Sequence, residues 1–169
     1  RVLEVKPRTR TIYFTDDDFC LNLSKVKDFC RSIINEGVKT KFICFSRADR
    51  LDEEAIELMA EAGFRVINMG LESFSLDILK EYTNKYRNSF DTVGGHIELL
   101  RQNQMTPFVS VILCSPEGRL EDVACTVSEL LTYRDRGGFE TGVNISVQPF
   151  KGSFYYEQYC DFESEIVPV

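Results

Sequence analysis

Five short stretches of this 169-residue chain collect most of the side chains able to do chemistry: Asp16-Asp17-Asp18, Ser46-Arg47-Ala48-Asp49, Gly70-Leu71-Glu72-Ser73, Ser115-Pro116-Glu117 and Gln148-Pro149-Phe150-Lys151. Each follows directly on an apolar run. Their chemistry is that of holding a charged or hydroxyl-bearing ligand, because carboxylates accept from ammonium and hydroxyl groups and can also hold a hard cation. The kit for covalent catalysis is thin. No G-x-S-x-G nucleophile turn, no D-x-D-x-T motif and no G-x-x-x-x-G-K-[ST] phosphate loop occurs. The single histidine, His96, falls within a predicted helix away from the five stretches, where a structural role is expected.

The elements that must position these groups follow from the switching of apolar periodicity between two and 3.6. Strands are predicted at 11–15, 41–45, 65–69, 108–113 and 143–147. Leu23, Val26, Phe29, Cys30, Ile33 and Ile34 mark one face of a helix stopped by Gly37. Asp52 is placed to cap a second helix, with Glu53 and Glu54 suited to its dipole and Gly63 at its end. Ser75 caps a third, which carries Ile78, Leu79 and Tyr82 before a polar loop at 83–88. Val93, Ile97 and Leu100 mark a fourth in spite of Gly94-Gly95, and Leu120 to Leu131 a fifth, ended by Gly137-Gly138. Strand and helix alternate throughout, which implies an α/β fold with a parallel sheet and right-handed crossovers. In such folds ligands bind at the carboxyl ends of the strands, where all five polar stretches lie. No Pro- or Ser-rich linker divides the chain, so residues 1–155 are expected to form one domain and 156–169 a C-terminal tail.

Composition narrows the classes. Acidic residues outnumber basic ones 27 to 20, and 43% of residues are hydrophobic, enough to build a core and too many for a disordered segment. A net charge of −7 without a basic stripe argues against direct nucleic-acid binding, and no apolar run is long enough to span a bilayer. The six cysteines, Cys20, Cys30, Cys44, Cys114, Cys125 and Cys160, form no C-x-x-C or C-x-x-x-C pair, and most lie in apolar periodic segments. That usage fits reduced, buried thiols in a cytoplasmic protein.

Several runs carry a family resemblance: F-T-D-D-D-F from Phe14, F-S-R-A-D from Phe45 with L-D-E-E behind it, and E-L-M-A-E-A-G-F-R-V-I-N-M-G-L-E-S from Glu57. S-L-D-I-L-K-E-Y-T-N-K, V-I-L-C-S-P-E, T-V-S-E-L-L and P-F-K-G-S follow in order. Over roughly residues 11 to 155 the sequence resembles the radical S-adenosylmethionine (SAM) superfamily, most closely branches containing methylthiotransferases and cobalamin-associated enzymes. The resemblance implies a partial (β/α) barrel of parallel strands, with the five strands here matching the second to sixth of the family's six. It also implies SAM as a cofactor, a [4Fe–4S] cluster in the intact protein, and room for cobalamin in an upstream domain. The family's C-x-x-x-C-x-x-C cluster motif does not occur in these 169 residues. The simplest expectation puts the cluster strand upstream of Arg1 and leaves the isolated chain inactive. The alternative is a relative that has given up the cluster.

By the same resemblance Asp16, Asp17 and Asp18 stand where the family holds the methionyl ammonium of SAM, and Arg47 is placed to pair with the methionyl carboxylate or a substrate acid. Glu72 and Ser73 approach the ribose or methionine, Ile112 backs the adenine, and Gln148 faces adenine or substrate. Ser115, Glu117 and Lys151 fall on the substrate side. The expected partner is a small molecule or a modified macromolecule, with self-association through an open edge strand at 11–15 if that strand has no neighbour. Two other classes stay open at this point: a cluster-less α/β binding module, and a magnesium-dependent phosphoryl-transfer domain that uses Asp16 to Asp18.

Overall fold

Along Lys41–Arg47 the side chains alternate: Phe42, Cys44 and Ser46 are buried, while Lys41, Ile43, Phe45 and Arg47 are exposed or half-buried. This is a strand covered by helices on one face and open on the other. The computed structural model describes residues 9–81, 90–135, 140–146 and 151–159. Within them β1 (Thr11–Tyr13), β2 (Lys41–Arg47), β3 (Phe64–Glu72), β4 (Thr106–Cys114) and β5 (Glu140–Ser146) form one sheet. Its spatial order is β1-β2-β3-β4-β5, with every neighbouring pair parallel. The intervening helices are α1 (Leu23–Asn35), α2 (Glu53–Ala62), α3 (Leu76–Glu81), α4 (Phe90–Gln102) and α5 (Leu120–Asp135). Each strand lies beside the next in sequence, and right-handed crossovers then place all connections on one face. The product is a curled half-barrel: the alternation implied the parallel α/β sheet, and the family resemblance implied the partial barrel. Its convex face carries the helices and its concave face is open.

The covered face holds a cluster of phenylalanines. Phe42 and Phe64 have their ring centroids 5.2 Å apart, Phe19 lies 5.5 Å from Phe64, and Phe14 lies 4.5 Å from Phe19. These rings tie the short β1 and the chain that follows it to β2 and β3. Cys20, Cys30 and Cys44 are fully buried beside them. Burial pushes the Cys30 thiol up to about 12, so it stays protonated and unreactive at neutral pH. The Cys44 thiol is likewise raised, first by its hydrogen bond with Cys20 and then by burial.

The helix ends follow the sequence signals. Asn22 caps α1 by accepting from the Lys25 amide (3.1 Å), and Asp52 caps α2 by accepting from the Ala55 amide (2.8 Å). Gly63 ends α2 in the left-handed region at φ 109°, where an added Cβ would lie 2.5 Å from the Thr40 carbonyl oxygen. Gly63→Ala therefore combines an unfavourable φ with a backbone clash. It is expected to cost about 2 kcal/mol or more, read as a lower urea midpoint. Gly94 stays inside α4 because a Cβ there would stand 2.5 Å from the Tyr133 hydroxyl of α5, so its absence allows close packing at the cost of helix propensity.

Several boundaries differ from expectation. β3 and β4 each run to nine residues, because central strands of a parallel sheet are held on both sides beyond their apolar segments. The last strand starts earlier than predicted, at Glu140, and ends at Ser146. A short helix, α6 (Phe154–Tyr159), lies in what reads from the sequence as an aromatic tail. The polar loop at 83–88 and the glycine pair Gly137-Gly138 lie outside the described residues.

Candidate functional site

Strand register decides which side chains share a level on the concave face. Arg47 pairs with Gly70, Gly70 with Ser110, and Ser110 with Gly142. One step further along the strands, Ile112 stands level with Asn144, whose amide donates to the Ser110 hydroxyl (3.3 Å). Two strand neighbours of Arg47 on its level, Gly70 and Gly142, have no side chain. At Gly142 the Phe108 ring takes the space, and an added Cβ there would stand 2.9 Å from it.

Three carboxylates surround the Arg47 guanidinium. Arg47 donates from Nε and Nη2 to the two oxygens of Asp49 (2.9 and 2.8 Å), a paired contact that fixes the plane of the guanidinium. The Arg47 amide donates to Asp18 (3.4 Å), and the Arg50 guanidinium faces the other Asp18 oxygen across 3.5 Å. Glu72 adds to the field that keeps Arg47 charged, after Asp49 and Asp18. Asp18, Arg47 and Glu72, predicted from three separate strand ends, are thus within electrostatic reach of one another. Asp16 and Asp17 are exposed in the same turn.

The Arg47 hydrogen bonds hold the Asp49 carboxyl below the ordinary aspartate value of 3.8, against the cost of its burial. A depressed carboxylate contributes stability that is complete above the unfolded value and lost as pH falls through the folded one. Acidifying from about pH 6 to about pH 3 is therefore expected to lower the urea midpoint, and Asp49→Asn to remove this residue's share of that loss.

Glu72 has a second distinction. β3 and β4 stay in register to Gly70–Ser110, and then Glu72 pairs with Val111, which leaves Leu71 as an extra residue. This bulge re-aims the chain at the strand end. Glu72 sits in the left-handed region with φ 72°, a conformation that costs a non-glycine residue of order 1–3 kcal/mol.

Ser73, expected as a ligand contact, is buried at 3% exposure. Its hydroxyl is bonded to Thr126 of α5 (3.0 Å) and accepts from the Ser75 amide (3.0 Å), while Ser75 donates to Asp122 (2.5 Å). Ser73 therefore fastens the β3–α3 turn to α5 and supports Glu72 from behind. The Ser75 hydrogen bond lowers the Asp122 carboxyl and helps hold this brace at neutral pH.

On the far side of the rim, Glu117 accepts from the Tyr155 hydroxyl of α6 (3.0 Å), which ties α6 to the β4–α5 turn. The Ser115 hydroxyl is tucked against Gly118, whose Cβ would lie 2.9 Å from it. Ile112 is half-buried on the concave face and Lys151 is exposed. Gln148 lies outside the described residues. Sequence reasoning overlooked three concave-face residues. Tyr13 and Phe45 make a tilted ring pair at 5.5 Å, and Asn68 donates to the Cys44 carbonyl (3.2 Å). Strand alternation alone would have put all three on one face.

Among the described residues no three His, Cys, Asp or Glu side chains converge as metal ligands. The five described cysteines are free, and three of them, Cys20, Cys30 and Cys44, are buried. A [4Fe–4S] cluster does not fit them, since it needs thiolates close together around one open site. A zwitterion with hydroxyls does fit the rim, where a guanidinium and several carboxylates stand together.

The radical SAM superfamily model matches residues 1–129. The chain belongs to the radical SAM superfamily. No curated protein matches its sequence. Among solved structures it is similar to the radical SAM methyltransferase TsrM from Kitasatospora setae, solved with tryptophan substrate and the SAM analogue aza-SAM. The TM-score is 0.72 at 19% identity, covering 85% of this chain and 28% of that one. It is similar also to the cobalamin-dependent SAM radical enzyme OxsB, solved with aqua-cobalamin and SAM (TM-score 0.65, 20% identity, 94% of this chain and 23% of that one). Coproporphyrinogen III oxidase (HemN) from Escherichia coli matches at a TM-score of 0.66 and 11% identity, covering 88% of this chain and 34% of that one. These likenesses establish the radical SAM half-barrel fold, and the chain spans about a quarter to a third of each enzyme. No helix among the described residues is long and apolar enough to cross a membrane.

Proposed function

We propose that these residues form the SAM-binding wall of a radical SAM enzyme. The observation that carries this reading is the left-handed Glu72 at the β3–β4 register break, on the same rim as Arg47 and Asp18. A strained non-glycine residue that glycine would serve better is kept where its side chain has work to do. In this reading Asp16, Asp17 and Asp18 face the methionyl ammonium, Arg47 takes the methionyl carboxylate or a substrate acid, and Glu72 accepts from the ribose hydroxyls. Ile112 backs the adenine, and Ser115, Glu117 and Lys151 line the substrate side, joined by Gln148. Ser73 acts from behind, through the turn that bears Glu72.

The chain's own residues bind and orient, while the cofactor supplies the bond-breaking chemistry. In the whole protein the reaction served is the family's reductive cleavage of SAM to methionine and a 5′-deoxyadenosyl radical, with the cluster held by cysteines other than those described. Cobalamin, named for TsrM and OxsB, belongs in this proposal to a separate domain. The substrate is a small molecule or a modified macromolecule, and the reduced thiols suit the cytoplasm. Among the described residues β1 pairs only with β2, so its open edge is the proposed site of pairing with a further strand or a second copy.

The test is formation of 5′-deoxyadenosine from SAM under anaerobic, reducing conditions. The whole protein is expected to form it and the 169-residue chain alone to form none. Cleavage by the isolated chain, or none by the whole protein, contradicts the reading. Among the described residues Asp16, Asp17 and Asp18 do not form a group of three carboxylates able to hold a metal ion, so this geometry does not favour a magnesium-dependent phosphoryl transferase.

A further inference from the structure

The only histidine in the chain, expected to lie away from the rim, reaches it from α4. His96 Nδ1 lies 3.0 Å from the carbonyl oxygen of Ala48, the residue between Arg47 and Asp49. Ala48 itself is fully buried, so the β2–α2 turn is pinned at its centre by a side chain from α4, two helices beyond α2. A carbonyl oxygen only accepts. The contact therefore requires the proton on Nδ1 and leaves Nε2 without one in the neutral ring.

The turn is held from two directions. From one side Asp18, beyond the end of β1, accepts from the Arg47 amide (3.4 Å) and faces the Arg50 guanidinium (3.5 Å), while the Arg47–Asp49 pair and the bond from the Arg50 amide to the Arg47 carbonyl (3.3 Å) are local. The Arg47–Asp49 pair spans only two residues, so it fixes the guanidinium relative to its own turn, and the ties to that turn set the direction of the plane. From the other side His96 ties the turn to α4, a firm base because Val93, Ile97 and Leu100 are packed in the core.

We propose that His96 is a positioning residue, holding the β2–α2 turn so that the Arg47–Asp49 pair presents one fixed guanidinium plane to the ligand. This rests on the SAM-binding reading only for what the plane serves. The positioning itself is a statement about the free chain. His96→Leu removes the donor, whereas His96→Asn keeps an amide N–H at about the place of Nδ1.

Three readouts on the ¹⁵N-labelled 169-residue chain test it. In the parent, neutral His96 is expected as the Nδ1–H tautomer, and an Nε2–H tautomer overturns the proposal without any variant having to fold. The Arg47 Nε–H signal is expected to lose exchange protection about tenfold in His96→Leu and to keep most of it in His96→Asn. Protection unchanged in a folded His96→Leu overturns the proposal. Finally, His96→Leu is expected to weaken SAM binding about tenfold but to add nothing to Arg47→Gln, because both act through the same group. Additive losses would mean that His96 acts elsewhere. If the Arg47 signal loosens as expected while the parent binds no SAM, the positioning role stands and the SAM-binding reading fails.

Discussion

Glu72→Gly is expected to leave the chain within about 1 kcal/mol of its original stability and to weaken SAM binding at least about tenfold. At most positions a glutamate-to-glycine change in a strand destabilises, because glycine loses more backbone freedom on folding and packs nothing. Here the backbone already occupies φ 72°, which glycine adopts without strain, so the two effects oppose each other and nearly cancel. The carboxylate has no substitute. A hydrogen bond from a ligand hydroxyl to a charged acceptor contributes about 1.5–3 kcal/mol, or roughly ten- to a hundredfold in affinity. Glu72→Ala provides the contrast: it loses the carboxylate and its attraction to Arg47 without relieving the strain, so binding should fall and stability should lie below that of the glycine variant. Calorimetric SAM titration and urea denaturation of the two variants separate function from strain. Glycine and alanine variants of equal stability would show that the bulge carries no strain worth relieving.

The second large effect belongs to the core. Phe64 is fully buried, opens β3 and touches the rings of Phe14, Phe19 and Phe42, so one side chain joins three parts of the sheet. Phe64→Ala is expected to cost about 3–5 kcal/mol, from lost burial plus the cavity left behind. That is a large part of what a domain of this size has to lose, and the melting temperature should drop by roughly 10 °C. The consequence reaches the rim. β1 is only three residues long and owes its place to those rings, and it delivers Asp16 to Asp18. Hydrogen exchange in Phe64→Ala should therefore rise first in residues 11–21. Uniform loss of protection across β1 to β5 would instead show that the sheet opens as one unit.

What could be read without coordinates, and what could not, follows from how local each determinant is. Asp52 and Gly63 announce the ends of α2 by residue type, and both act within one helical turn. The alternation of strand and helix is equally local and is enough to imply a parallel α/β fold, whereas the half-barrel followed from the family resemblance. The convergence of Asp18, Arg47 and Glu72 was legible only through the rule that parallel strands gather ligand groups at one end, together with the family resemblance. Ser73 shows where that rule runs out. It follows a strand as the others do, but its hydroxyl turns inward to Thr126, more than fifty residues on, and no spacing in the sequence signals that pairing. His96 was missed for the same reason, since its partner is a backbone carbonyl, which is identical at every position. The bulge at Leu71 and the left-handed Glu72 are also products of pairing between β3 and β4, with no glycine in the sequence to mark them. The short α6 escaped notice because six residues are too few to establish a helical period.

The claim that the carboxyl-end rim is a SAM site is tested most directly by titrating the ¹⁵N-labelled chain with SAM and following every backbone amide. NMR suits the purpose because it detects weak binding and reports where it occurs. The account predicts shifts gathered at residues 15–18, 47–50, 70–73 and 112–117, with the opposite end of the barrel around Lys39, Lys41 and Arg65 unmoved. Shifts gathered at that opposite end, or none anywhere at millimolar SAM, would contradict it.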